Sequence, residues 1–73
     1  MTDDMLRLWS EIRELVDTVS VDIRKNISGN ASAGVRARKG LRVIKSKSSE
    51  LTKLSLALGK QRKDSTEDSE PTE

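Results

Sequence analysis

The sequence predicts an all-α fold: an antiparallel two-helix hairpin, expected to dimerise into a four-helix bundle, with a disordered acidic C-terminal tail. Three observations predict it. Apolar residues recur at steps of three and four in two long stretches. One short break, Ser28-Gly29-Asn30, separates those stretches. The 73 residues are 33% hydrophobic with a single aromatic. That is too much for a disordered chain and little for a solitary globule, so several copies are expected to share one core. The expected segments are an acidic helix over 1–27, a turn over 28–30, a basic helix over 31–59 and a tail over 60–73.

The first helix is read over residues 3–26. Met5, Leu8, Trp9, Ile12, Leu15, Val16, Val19 and Ile23 fall within one stripe roughly 120° wide at 100° per residue. Val21 lies outside it. Thr2, Asp3 and Asp4 suit the positive end of a helix, and Arg24 and Lys25 suit the negative end. Gly29 can take the left-handed conformation that ends a helix, and Asn30 is a good cap for the next. A break this short folds the two helices antiparallel.

The second helix is expected from about Ala31 to Leu58. Its stripe is Ala37, Leu41, Ile44, Ser48, Leu51, Leu54 or Ser55, and Leu58. Arg38, Lys39, Arg42, Lys45 and Lys53 fall on the opposite face. Gly40 sits mid-helix on the apolar side, where it permits close helix contact. Gly59 is expected to end the helix, with fraying from Lys60 and disorder from Asp64. The interface between copies is assigned to Leu8, Trp9, Ile12, Leu15, Val19 and Ile23 of the first helix and Leu41, Ile44, Leu51 and Leu58 of the second.

Charge is sorted along the chain. The net charge is +2, from 14 bases and 12 acids. Residues 1–23 carry six acids and two bases. Residues 24–63 carry twelve bases and one acid, Glu50. Residues 64–73 carry five acids and no base. A middle segment that basic is either the footprint of a polyanion partner or a solvated face neutralised by its neighbours.

The same counts narrow the chemistry. There is no cysteine and no histidine. Disulfides, thiolate metal sites, the usual zinc ligand and the usual general base are absent with them. We therefore expect no enzyme activity, no metal, no cofactor and no small-molecule substrate. No apolar run approaches 18 residues, so no membrane span is expected. The acidic start, Met1-Thr2-Asp3-Asp4, does not resemble a signal peptide, and a cytoplasmic (nucleoid) or virion-associated location is expected.

The stretch Ser28 to Lys39 opens a helix, where free backbone N–H groups and the dipole favour an anion. Ser28, Gly29, Asn30 and Gly34 are small enough for a phosphate to approach the backbone. Arg36, Arg38 and Lys39 follow within the first turns. The small residues also let the hairpin close tightly, and we read both roles together. Gly29-x-x-x-x-Gly34 is followed by Val35-Arg36 rather than Lys-Ser/Thr, and no strand precedes it, so nucleotide hydrolysis is rejected. Lys45-Ser46-Lys47-Ser48-Ser49 reads as a phosphosite cluster or as solvated helix surface. Trp9 is the lone aromatic, so base stacking on the basic segment is disfavoured and phosphate contact without sequence preference is favoured.

Leu15-Val16-Asp17-Thr18-Val19, Asp22-Ile23 and the run from Gly29 to Leu41 resemble the chlamydial linker-histone-like family. They are more similar still to its short histone-like members from cyanobacterial phages, which carry a Gly-Asn-x-x-Ala-Gly-x-Arg-Ala-Arg-Lys-x-Leu run. The likeness covers roughly Leu15 to Leu58. It implies a small helical protein that binds double-stranded DNA without strong sequence preference. It also implies Gly29 and Asn30 at the turn, with Arg36, Arg38 and Lys39 as a basic cluster. The chain departs from chlamydial members in its C-terminal segment, which is acidic where theirs is long and rich in lysine and alanine. The expected function is therefore a histone-like, nonspecific DNA-binding oligomer, most simply a dimer, using Arg36, Arg38, Lys39, Arg42, Lys45 and Lys53. The rival reading is a helical structural or adaptor protein with no nucleic-acid partner. In that case the acids of the first helix pair with the bases of the second.

Overall fold

The computed structural model describes residues 2–62, so the acidic segment from Asp64 lies outside the described residues. Two helices fill that span: α1, Thr2–Ile27, and α2, Ala31–Arg62. Asp3 and Asp4 occupy the first turn of α1, and Arg24 and Lys25 its last. Both placements oppose the helix dipole.

The turn joins the two helices with no spare residue. Gly29 has φ 108°, the left-handed conformation. Its N–H donates to the Asn26 carbonyl at 3.0 Å, and the Asn30 N–H donates to the Lys25 carbonyl at 3.0 Å. This is the Schellman pair of bonds that closes a helix end. Asn30 then caps α2, its Oδ1 accepting from the Ala33 N–H at 3.0 Å. The Asn26 side chain donates to the Asn30 carbonyl at 3.2 Å, tying the end of one helix to the start of the other.

Past the turn the helices run antiparallel, with Val19 opposite Gly40, Asp22 opposite Arg36 and Glu11 opposite Lys47. Near the turn they come very close. A Cβ on Gly34 would lie 2.5 Å from Asn26 Nδ2, and one on Gly40 would collide with Val19 Cγ2. Ala33 and Ala37 complete this small-residue half of the seam, both buried. Toward the open end larger residues take over. Leu8 and Ile12 are buried there, with Met5, Leu15, Ile44, Leu51, Leu54 and Leu58 half-buried.

The helices form a single layer measuring 51 × 25 × 14 Å. Domains ordinarily pack two layers around a core. Here the seam has only one, and among the described residues no large side chain is fully buried.

One boundary differs from expectation. α2 continues through Gly59 to Arg62. Gly59 has no neighbour within 4 Å and does not adopt a left-handed φ. Glycine in a helix costs about 1 kcal/mol relative to alanine, but it does not force a stop. The surrounding leucine, alanine, lysine and glutamine are good helix formers and carry the helix through.

Candidate nucleic-acid interface

The bases of α2 divide by their angle around the helix. Arg36 and Lys47 point along the seam toward α1. Arg36 Nε donates to Asp22 Oδ1 at 3.2 Å, and Lys47 Nζ donates to Glu11 Oε1 at 2.9 Å. Asp22 is the buried member, with 11% of its side chain exposed, against 53% for Arg36. Glu11 and Lys47 are 40% and 31% exposed. The Lys47 hydrogen bond holds the Glu11 carboxyl below its usual range, with the Lys47 and Arg7 charges adding to it and partial burial opposing.

Arg38, Lys39, Arg42, Lys45 and Lys53 are all exposed along the outer side of α2. Among the described residues none of the five has a carboxylate within 4.0 Å. Arg42, Lys45 and Lys53 line a shallow depression with Ser46, Ser49 and Glu50. Three cations and two hydroxyls in one depression are suitable donors for phosphate oxygens. Arg38 to Lys53 spans about 22 Å of helix, the axial length of about six base pairs. Lys60, expected only to fray, is helical and exposed on the same angular row. Its spacing of seven from Lys53 was the signal that could have found it.

The turn residues have a more structural placement. Ser28 and Asn30 are exposed and line a small depression with Arg24 and Lys25. Gly34 is buried against Asn26, so its small size serves the approach of the helices. Ser28 Oγ donates back to the Arg24 carbonyl at 3.1 Å.

The residues assigned to an interface between copies also divide. Leu8, Ile12 and Val19 are consumed inside the hairpin. Leu15, Ile44, Leu51 and Leu58 are shared between the seam and solvent. Trp9, Ile23 and Leu41 are 50%, 39% and 48% exposed, and Val16, on the same stripe, is 49% exposed.

The basic outer edge and the paired seam give a physical setting for the relationship found by comparison. The family model of the histone H1-like protein Hc1 matches residues 7–70. The chain belongs to the histone H1-like Hc1 family. No curated protein and no solved structure matches it. Membership makes this Hc1-family chain a histone-like protein of a DNA-binding, non-enzymatic class. Among the described residues no three carboxylates cluster as a metal site would need, and no helix is long and apolar enough to cross a membrane.

Proposed function

We propose that the protein binds double-stranded DNA without sequence preference, in a nucleoid or on a phage genome, through the outer edge of α2. Arg38, Lys39, Arg42, Lys45 and Lys53 contact phosphates, and Ser46 and Ser49 supply neutral donors between them. Arg36 lies at the turn end of this edge. Its Nε is committed to Asp22, while its half-exposed guanidinium keeps further donors free for phosphate.

The observation that carries this reading is the row of five bases with no carboxylate within 4.0 Å among the described residues, while Arg36 and Lys47 on the seam are paired. A base needed only for folding would be expected on the seam, where Arg36 and Lys47 are. The absence of aromatic residues from α2 supports phosphate contact over base stacking. The exposed edge of a straight helix also offers no feature that selects one base pair over another.

Fluorescence anisotropy of a labelled random duplex, titrated with protein between about 50 and 300 mM salt, tests the proposal. Five phosphate contacts per protomer give a log–log slope of about −4.5, and a duplex of different sequence gives the same curve. No binding at the lowest salt overturns the reading. The bases would then be left for the rival reading, in which they serve a protein assembly.

A further inference from the structure

The two long edges of the hairpin carry opposite charge. Along the outer edge of α1, Asp3, Glu14 and Asp17 are exposed, with Arg13 the base among them. Along the outer edge of α2, Arg42, Lys45, Ser49, Lys53 and Lys60 are exposed, and at 100° per residue they fall within about 80° of one another. Among the described residues none of these four bases has a carboxylate within 4.0 Å. The row runs on to the end of α2 at Arg62. Just beyond it in the sequence stand residues 64–73, with five acids and no base.

We propose that residues 64–73 fold back along the outer edge of α2 and occupy it until DNA displaces them. Chemistry selects the place. Besides its acids the segment has only serine, threonine and Pro71, so it offers nothing to the apolar groove of Val16, Ile23 and Leu41. The acids on the outer edge of α1 repel it, and the bases of α2 attract it. Tethering makes the encounter intramolecular, at an effective concentration of about millimolar.

Length sets how far the segment reaches. Ten extended residues span at most about 35 Å, and part of that is used in turning back. From the end of α2, Lys53 is about 14 Å away, Lys45 about 26 Å and Arg42 about 30 Å. Arg38 and Lys39 lie at about 35 Å, past its reach. The segment therefore covers Lys60, Lys53 and Lys45, with Arg42 at its limit. Arg38 and Lys39 stay open, and a duplex can land there and peel the segment away from the turn end. The displacement rests on the DNA-binding proposal, but the contact itself does not.

The chain has no cysteine, so an introduced pair is unambiguous. Ser49→Cys with Ser69→Cys joins the α2 edge to the segment. Ser10→Cys with Ser69→Cys joins the segment to the α1 edge at the same level, because Glu11 lies opposite Lys47. In a glutathione buffer without DNA, the first pair is expected to close within one chain several-fold more at about 50 mM than at about 300 mM salt. The second pair is expected to show no such rise. Neutralising the segment by Glu67→Gln, Asp68→Asn, Glu70→Gln and Glu73→Gln is expected to remove the rise in the first. Closure of the first pair that ignores salt overturns the proposal, and so do links between chains in place of links within one.

The neutralised chain without cysteines then tests the displacement. An edge covered about three-quarters of the time lowers apparent affinity about fourfold, so this chain is expected to bind a random duplex about fourfold tighter at about 50 mM salt. The advantage fades by about 300 mM, which makes the salt slope of the unmodified chain shallower by under about one unit. In a Lys53→Gln background the gain is expected to shrink, whereas plain repulsion between segment and duplex would leave it whole. Equal binding by the neutralised and unmodified chains overturns the displacement. A duplex that binds neither chain overturns the DNA reading and leaves the disulfide result in force.

Discussion

The seam between the helices and the outer edge of α2 draw on the same residue types and use them in opposite ways. On the seam Arg36 and Lys47 meet carboxylates of α1, and Gly40 makes room for Val19. On the outer edge Arg42 and Lys53 meet none among the described residues, and Gly59, past the level at which α1 begins, has open space around it. Position around the helix, not residue identity, assigns the role. A base about 70° from the line of contact reaches across to the other helix, whereas one on the far side reaches only solvent or a partner.

The largest expected effect separates the two sets of bases. Arg38→Glu with Arg42→Glu removes two phosphate contacts and adds two repulsions. Duplex affinity at about 100 mM salt is expected to fall 10²–10³-fold by the counterion relation. The thermal midpoint should stay within a degree or two of wild type, because neither side chain touches α1. Anisotropy and circular-dichroism melting on one preparation read both quantities. A collapse of the melt instead would move these arginines into the packing, as the assembly reading requires.

How far this division was legible in the sequence depends on the element. The two helices, the turn at Gly29 and the close approach at Gly40 were readable, because periodicity and backbone conformation are local properties. The split of the α1 stripe was not. Leu8 and Trp9 are about 100° apart around the helix, and a stripe roughly 120° wide contains both. Only the partner helix decides that Leu8 is buried and Trp9 is half-exposed. The polar seam residues were also missed, since a search for apolar spacing passes over them. Asp22 follows Leu8 and Leu15 at intervals of seven, and Lys47 stands between Gly40 and Leu54 at the same interval. A heptad count that ignored polarity would have placed both facing the other helix. On the basic edge the angular count did place Arg38, Lys39, Arg42, Lys45 and Lys53 away from α1. Arg36 was grouped with them because sequence proximity hid its reach to Asp22.

Two alanine substitutions sharpen the comparison with opposite signs. Alanine is the better helix former by about 1 kcal/mol at either glycine. At Gly59 nothing lies within 4 Å, so Gly59→Ala is expected to stabilise by about 0.5–1 kcal/mol. At Gly40 the added methyl collides with Val19, and α2 must move off α1 at their closest approach. Overpacking of that kind costs about 1–3 kcal/mol, so Gly40→Ala is expected to be net destabilising by about 1–2 kcal/mol despite its better propensity. Denaturant melts at fixed protein concentration measure both. A stabilising Gly40→Ala would mean that the seam is looser than the contact with Val19 implies.

The smallest expected effect belongs to the seam pair Glu11–Lys47. Lys47 donates a hydrogen bond to the Glu11 carboxylate and lowers its proton affinity in the folded chain. A carboxyl whose folded value is depressed contributes stability above its unfolded value, near 4.3, and loses it as pH falls through the lower folded value. The stabilisation is therefore full at neutral pH and disappears in the acid range. Both side chains are partly exposed to water, which screens the pair, so the change is small. Lys47→Met removes the donor while keeping the aliphatic stem against the seam. Melting midpoints of wild type and Lys47→Met should differ slightly at pH 7 and converge as pH falls below about 4. A gap that persists unchanged at acid pH would assign the lysine's contribution to its stem rather than to its charge. On the outer edge the same substitution, Lys45→Met or Lys53→Met, has no carboxylate partner among the described residues to release, and its melt should follow wild type across the whole range.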